Sequence, residues 1–282
     1  MARPLFQLGP RLSLCASLVR EGAAVADIGT DHGYLPIWLL KTGRCPRAIA
    51  ADINASPLEA ARRNAARYGA KMRLLLSDGL QGLGPGDAED IVIAGMGGEL
   101  ILRMAGETSW LRNPGKRLVL QPMSCGPQLR AGLWDLGFSI LEERACLDSG
   151  KVYAAFSAAF TGENGPMPLL YPYMGRLEPG SPAVRLYAEK QVRILENQRK
   201  GAAHLGETAR AKALGDAVEA LREAYLGESI EEEKGTYCLW PDKEIKKSAA
   251  FPWSNRQGGK ELPRLARGKN RTGTGGAYGT DL

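Results

Sequence analysis

ADIGTDHGYLP, residues 26–36, is the stretch on which the fold turns. An apolar run over 24–28 reaches Asp27 and Ile28, breaks at Gly29 and Gly33, and gives way to an apolar helical pattern over 34–41. A buried strand, a glycine-rich turn and a helix start together bring backbone amides up to a nucleotide-like ligand. Outward from this point the alternation repeats. Strand-like runs at 48–52, 72–76, 90–94 and 117–120 are separated by helical patterns starting at Pro57, Gly98 and Pro127. Short apolar runs alternating with helices predict an α/β fold with a parallel sheet covered on both faces. Upstream, Leu8, Leu12, Cys15, Leu18 and Val19 recur at helical spacing, which predicts an amphipathic helix over 5–19 closed by Gly22.

Downstream the pattern changes. Runs at 138–144 and 151–160 flank Asp148, Ser149 and Gly150, which reads as an antiparallel hairpin. Five parallel strands closed by such a hairpin form the Rossmann-like sheet of class I methyltransferases, whereas a plain dinucleotide-binding domain continues with another parallel strand. Residues 161–182 are rich in Gly and Pro and read as a linker, with Leu169, Leu170, Tyr171 and Tyr173 as packing positions. Two helical patterns follow, one with Val184, Tyr187, Ile194 and Leu195 on a face and one with Leu214, Val218, Leu221 and Tyr225, predicting a helical hairpin that turns near Gly201. From Lys243 onward Gly, Lys and Arg dominate and a disordered basic tail is expected. The expected division is 1–160 catalytic domain, 161–242 linker and helical hairpin, and 243–282 tail.

The departures from the dinucleotide pattern select the ligand. G-x-G-x-x-G counted from Gly29 requires glycine at positions 31 and 34, which are Asp31 and Tyr34. A carboxylate there would repel a pyrophosphate. S-adenosylmethionine has no phosphate and carries a sulfonium and an ammonium, so Asp27 and Asp31 suit it. The next run ends at Asp52, where a carboxylate can accept both ribose hydroxyls, although Asp52 or Ser56 could equally cap the following helix. A third run leads into SDGL, 77–80, whose Asp78 and Gly79 are placed to meet the adenine edge. Three successive strands each ending in an acidic residue at one sheet edge define a candidate cofactor site. The fourth ends in IAGMGG, 93–98, where Ala94 and Gly95 would flank the transferred methyl group. An Asp/Asn-Pro-Pro-aromatic sequence, associated with methylation of exocyclic amines, is absent there, and a ring nitrogen with an in-plane lone pair needs mainly positioning.

Taken together, the Arg11-Leu12 helix, ADIGTDHGYLP, SDGL, IAGMGG, LQP at 120–122 and the terminal helical pair resemble the bacterial tRNA (adenine-N1)-methyltransferases that modify adenine 22 in the D-arm. The resemblance runs from about residue 8 to 226 and stops before the tail. It implies transfer of a methyl group from S-adenosylmethionine to adenine N1, with tRNA as partner. His32, Tyr34, Met96 and Gln121 are the candidates for contacting the base or the methyl, with no general base, because neutral N1 has no proton to lose. N1 lies on the Watson–Crick edge, so a paired target must be opened or flipped.

The remaining features bound this reading. With 282 residues and 44% hydrophobic content the chain can bury a real core, and a net charge of +6 suits an anionic partner. Cys15, Cys45, Cys125, Cys146 and Cys238 have no paired spacing, and two histidines do not make a zinc site with them, so reduced thiols and no metal are expected. The sequence shows no apolar stretch of membrane-spanning length and no signal segment, predicting a cytoplasmic protein. A monomer is the default expectation, and no feature of the sequence fixes the oligomeric state. The rival readings are a small-molecule methyltransferase, an RNA-binding protein that has lost catalysis, and, opposed by Asp31 and by the closing hairpin, a nicotinamide oxidoreductase.

Overall fold

The computed structural model describes residues 4–162 and 164–227. The expected tail at 243–282 lies outside the described residues, as does the end of the expected 161–242 segment. Seven strands form one sheet in the order β3-β2-β1-β4-β5-β7-β6. They are β1 (Val25–Ile28), β2 (Ala48–Asp52), β3 (Arg73–Leu76), β4 (Asp90–Gly97), β5 (Arg117–Ser124), β6 (Phe138–Asp148) and β7 (Lys151–Phe160). β1 to β5 are parallel, and β7 returns antiparallel to β5, with Leu120 opposite Phe156.

The side-chain period of two explains how one short run serves two layers. Ala26, Ile28, Ile91, Ile93, Leu118 and Leu120 point to one face and pack under α4 (Gly98–Glu107) and α5 (Gly126–Asp135). Val25, Val92 and Val119 point to the other and meet α1 (Pro10–Leu18) and α2 (Tyr34–Lys41). α3 (Ala55–Tyr68) follows β2. β1 and β2 are buried along their whole length, which is why, Asp27 and Asp52 apart, their sequences are apolar without alternation. The turn between β6 and β7 is two residues, Ser149 and Gly150, both at positive φ as a type I′ hairpin requires.

Several boundaries differ from the sequence reading. α1 starts at Pro10 and not at residue 5, because proline is suited to the first helical turn and Phe6 is drawn instead against Tyr34 and Tyr68. The helix ends at Leu18, and Gly22 serves the turn into β1. β4, β5 and β6 each run three or more residues further than their apolar cores, since ladder pairing continues where burial stops. The stretch 161–182 contains a short helix, α6 (Tyr171–Met174), whose four residues are all buried.

The helical pair is α7 (Pro182–His204) and α8 (Thr208–Leu221), extended by a π-helical turn at Arg222–Leu226. α7 opens with Ser181, whose Oγ accepts from the Val184 amide at 3.1 Å, ahead of Pro182. It continues through Gly201, where a turn was expected. The chain reverses at Leu205 and Gly206, and Ala202, buried in the core between the two helices, accounts for the extra turn of α7. Ile194 is exposed, contrary to the expected face, while Val184, Tyr187 and Leu195 are buried as expected.

A buried ion pair welds this helical pair to the sheet. Arg130 on α5 and Glu143 on β6 are both fully buried, with Nε to Oε1 at 3.0 Å. Tyr187 of α7 accepts from Arg130 Nη2 at 3.0 Å, the Pro172 carbonyl accepts from Nη1 at 3.1 Å, and the Arg176 amide donates to Glu143 at 2.8 Å. Burial works against the charge of Arg130, but the Glu143 carboxylate and then Tyr187 hold its pKa above the ordinary value. Helix and sheet therefore share one set of buried hydrogen bonds.

Candidate cofactor and acceptor site

The parallel strands place their carboxyl ends along one edge, where open α/β sheets take their ligands. Asp27 sits within β1, opposite Ala50 of β2 and Val92 of β4. Its carboxylate is buried and accepts from Thr30 Oγ1 at 2.6 Å. Burial pushes it up to about 6, opposed by the Thr30 hydrogen bond and reinforced by the negative charge of Asp52. Asp52 ends β2, and its Oδ1 accepts from the Asn54 amide at 2.8 Å. That bond braces the loop into α3, and Oδ2 has no hydrogen-bond partner among the described residues. Neither Asp52 nor Ser56 caps α3; its N-cap is Asn54, which makes no side-chain cap bond. Asp78 and Gly79 follow β3, with Asp78 exposed, and Ser77 fastens this loop through bonds to the Gly79 carbonyl and the Gly82 amide.

Gly29, Gly33, Gly79 and Gly95 all adopt positive φ. At Gly29 the requirement is double. A side chain there would be strained at φ +71°, and its Cβ would lie 2.2 Å from the methyl carbon of Met96. The turn after β1 and the glycine-rich end of β4 are thus pressed together, and Met96 forms the contact. Asp31 is a non-glycine residue at φ +50°, exposed beside His32, whose Nε2 is 3.5 Å from its carboxylate. The His32 carbonyl accepts from Asn64 at 3.0 Å, which ties this turn to α3. The His32 and Tyr34 rings are 5.9 Å apart and both are exposed.

Gln121 differs from the other candidates in having no exposed surface. Its Oε1 accepts from Arg11 Nη1 at 2.8 Å and from the Gly95 amide at 3.1 Å, and its Nε2 donates to the Pro122 carbonyl at 2.9 Å. The amide is spent on holding β4, β5 and α1 together at the site. Arg11 is the residue the sequence reading named without a role. No local signal could supply one, because its partner is 110 positions away.

The sheet order, the acidic rim on β1, β2 and the loop after β3, and the glycine-rich end of β4 define a class I methyltransferase. The chain belongs to the methyltransferase-domain family, whose model matches residues 8–156. Over 155 residues it is 34% identical to the tRNA (adenine(22)-N(1))-methyltransferase of Bacillus subtilis, covering 54% of this chain and 65% of that protein. The match therefore spans just under two thirds of the curated relative. The crystal structure of the B. subtilis enzyme superposes with a TM-score of 0.65 at 26% identity, covering 78% of this chain and 99% of that one. A Streptococcus pneumoniae protein assigned as a tRNA (m1A22) methyltransferase, solved with S-adenosyl-L-methionine, gives a TM-score of 0.64 at 30% identity, over 75% of this chain and 100% of that one. Among the described residues no helix is long and apolar enough to cross a membrane.

Proposed function

We propose that this chain is an S-adenosylmethionine-dependent tRNA methyltransferase that modifies N1 of adenine 22. The observation that carries the proposal is the acidic rim set beside the β4 glycines, in a chain 34% identical over 155 residues to an enzyme of that name. The rim fits the cofactor. Asp27 and Asp31 match its cationic amino-acid end, the free oxygen of Asp52 suits a ribose hydroxyl, and Asp78 with Gly79 faces the adenine position. Gly29, Gly33, Ala94 and Gly95 supply close backbone approach. When bound, S-adenosylmethionine supplies an electrophilic methyl group.

The protein's own part is positioning. Met96 packs on Gly29 at the junction of the two loops, His32 and Tyr34 stand exposed where the turn after β1 runs into α2, and Arg11 with Gln121 holds Gly95 in place. With an acceptor nitrogen that has no proton to lose, orientation and exclusion of water are what the site must provide. The helical pair is the RNA-holding part, on the expected division at residue 160, and the substrate places the protein in the cytoplasm. Arg185 and Arg210 are paired with Glu189 and Glu207, whereas Arg193, Arg199, Lys200 and Lys212 are exposed with no ion-pair partner among the described residues. Such cations suit phosphate contacts.

The test is methyl transfer from labelled S-adenosylmethionine to unmodified tRNA, followed by digestion and mass identification of the nucleoside. 1-Methyladenosine supports the proposal. Transfer only to small molecules, or cofactor binding without transfer, would favour one of the two rivals.

A further inference from the structure

A cavity of about 320 Å³ lies beside the acceptor edge, between the turn from β5 into α5, the start of β7, and α7. It is unclaimed by the cofactor rim. Its volume falls at the lower end of ordinary ligand pockets, about 300 to 1,000 Å³. One wall is Pro122 and Ser124, the β5 residues paired with Met96 and Gly97 of β4, so the cavity opens one strand away from the loop that faces the methyl.

Its chemistry is specific. Gln191 lines it and is only 3% exposed, yet among the described residues its Oε1 has no hydrogen-bond partner, and the buried Oε1 of Gln128, which also lines it, has none either. Both oxygens are shut off from water as the side chains stand. A buried carbonyl oxygen left unpaired is costly, and a turn about the broad last torsion of either glutamine would bring it to a ligand's N–H donors in the cavity. Tyr153 and Tyr187 add aromatic surface, and the half-buried Lys190 adds a cation. No carboxylate is among the lining residues. On α7, Lys190, Arg193 and Lys200 follow at spacings of three and seven, a cationic stripe along one helix face leading away from the cavity. Ile194, unexpectedly exposed, stands at the cavity's helix wall.

We propose that this cavity is a second nucleotide pocket, which takes an unpaired tRNA base bearing an exocyclic amine next to the base presented at the end of β4. Gln191 and Gln128 accept from the base, a tyrosine face stacks on it, and the α7 cations hold the adjoining phosphates. The pocket adds a recognition element to the proposed tRNA reaction and rests on that reading.

The experiment measures binding of fluorescently labelled, unmodified tRNA to the full-length chain, alongside methyl transfer by the wild type. Gln191→Leu removes the unpaired oxygen at nearly constant size. Ile194→Trp fills the cavity from an exposed helix position. Both are expected to raise the tRNA Kd about tenfold, the effect of losing a well-made hydrogen bond or stacked base. The Kd for S-adenosylmethionine should not change, and Gln191→Leu should melt no lower than the wild type. An unchanged tRNA Kd in both folded variants overturns the pocket, including the case in which it serves a peptide. Should Gln191→Leu fail to fold, an unchanged Kd in Ile194→Trp is sufficient to overturn it. Absence of methyl transfer by the wild type overturns the proposed function separately, because the tRNA Kd is read without catalysis.

Discussion

Replacing Asp27 by Asn separates what this residue costs in folding from what it gives in binding. Burial raises its carboxyl from 3.8 to about 6. An acid whose pKa is higher in the folded than in the unfolded chain holds its proton longer when folded. Stability therefore falls as pH rises through that window, and the penalty is fully present above it. At about 1.4 kcal/mol per pH unit, the penalty is about 3 kcal/mol. Asp27→Asn keeps an oxygen for the Thr30 hydroxyl but no charge. It should match the wild type below about pH 4 and exceed it by up to about 3 kcal/mol above about pH 6. Binding moves the other way: the variant should lose affinity for the cationic cofactor, and wild-type affinity should weaken up to about tenfold per pH unit below about pH 6 while the variant's stays level. Urea unfolding followed by tryptophan fluorescence, with calorimetry of S-adenosylmethionine binding, both across pH, reads the two effects. A variant less stable than the wild type at high pH, or one that binds the cofactor undiminished, would refute the argument.

Three further outcomes are expected. Asp52→Ala should weaken S-adenosylmethionine binding by about 1 to 3 kcal/mol through lost hydrogen bonds to an ionised group, and calorimetry of the folded variant showing an unchanged Kd removes Asp52 from the site. Glu143→Ala strands the Arg130 charge and should cost about 3 to 5 kcal/mol of stability; a loss below about 1 kcal/mol in denaturant unfolding contradicts the weld between sheet and helices. Reversing charge with Arg193→Glu and Lys200→Glu should raise the KM for tRNA and flatten its dependence on salt without moving the cofactor Kd, and parallel salt curves would take α7 out of the RNA interface.

What the sequence disclosed and what it hid follow from the range of the interactions. The order of strands and helices was legible because each central strand is a short apolar run and each turn after it carries glycine or aspartate. The acidic residues proposed to form the rim were legible for the same reason, one at or near the carboxyl end of each of three strands. Burial of Gln121 was not, because its partners Arg11 and Gly95 are brought to it by two other elements, α1 and β4. The Arg130–Glu143 pair likewise joins residues on separate elements, and neither residue in isolation differs from a surface charge. Gly201 misled because packing overrides the roughly 1 kcal/mol that glycine costs inside a helix. Ile194 misled because helical spacing identifies an apolar position but not whether a neighbour covers it.

The most direct test of the whole account is where the methyl group goes. Wild-type protein, S-adenosylmethionine and an unmodified tRNA transcript are incubated, and the product is read by reverse transcription, which N1-methylation arrests by blocking the Watson–Crick edge. A parallel transcript carries guanine in place of adenine 22. The account predicts an arrest at position 22, 1-methyladenosine in the digest, and no methyl incorporation into the substituted transcript. Equal incorporation into both transcripts, or none into either, would contradict it.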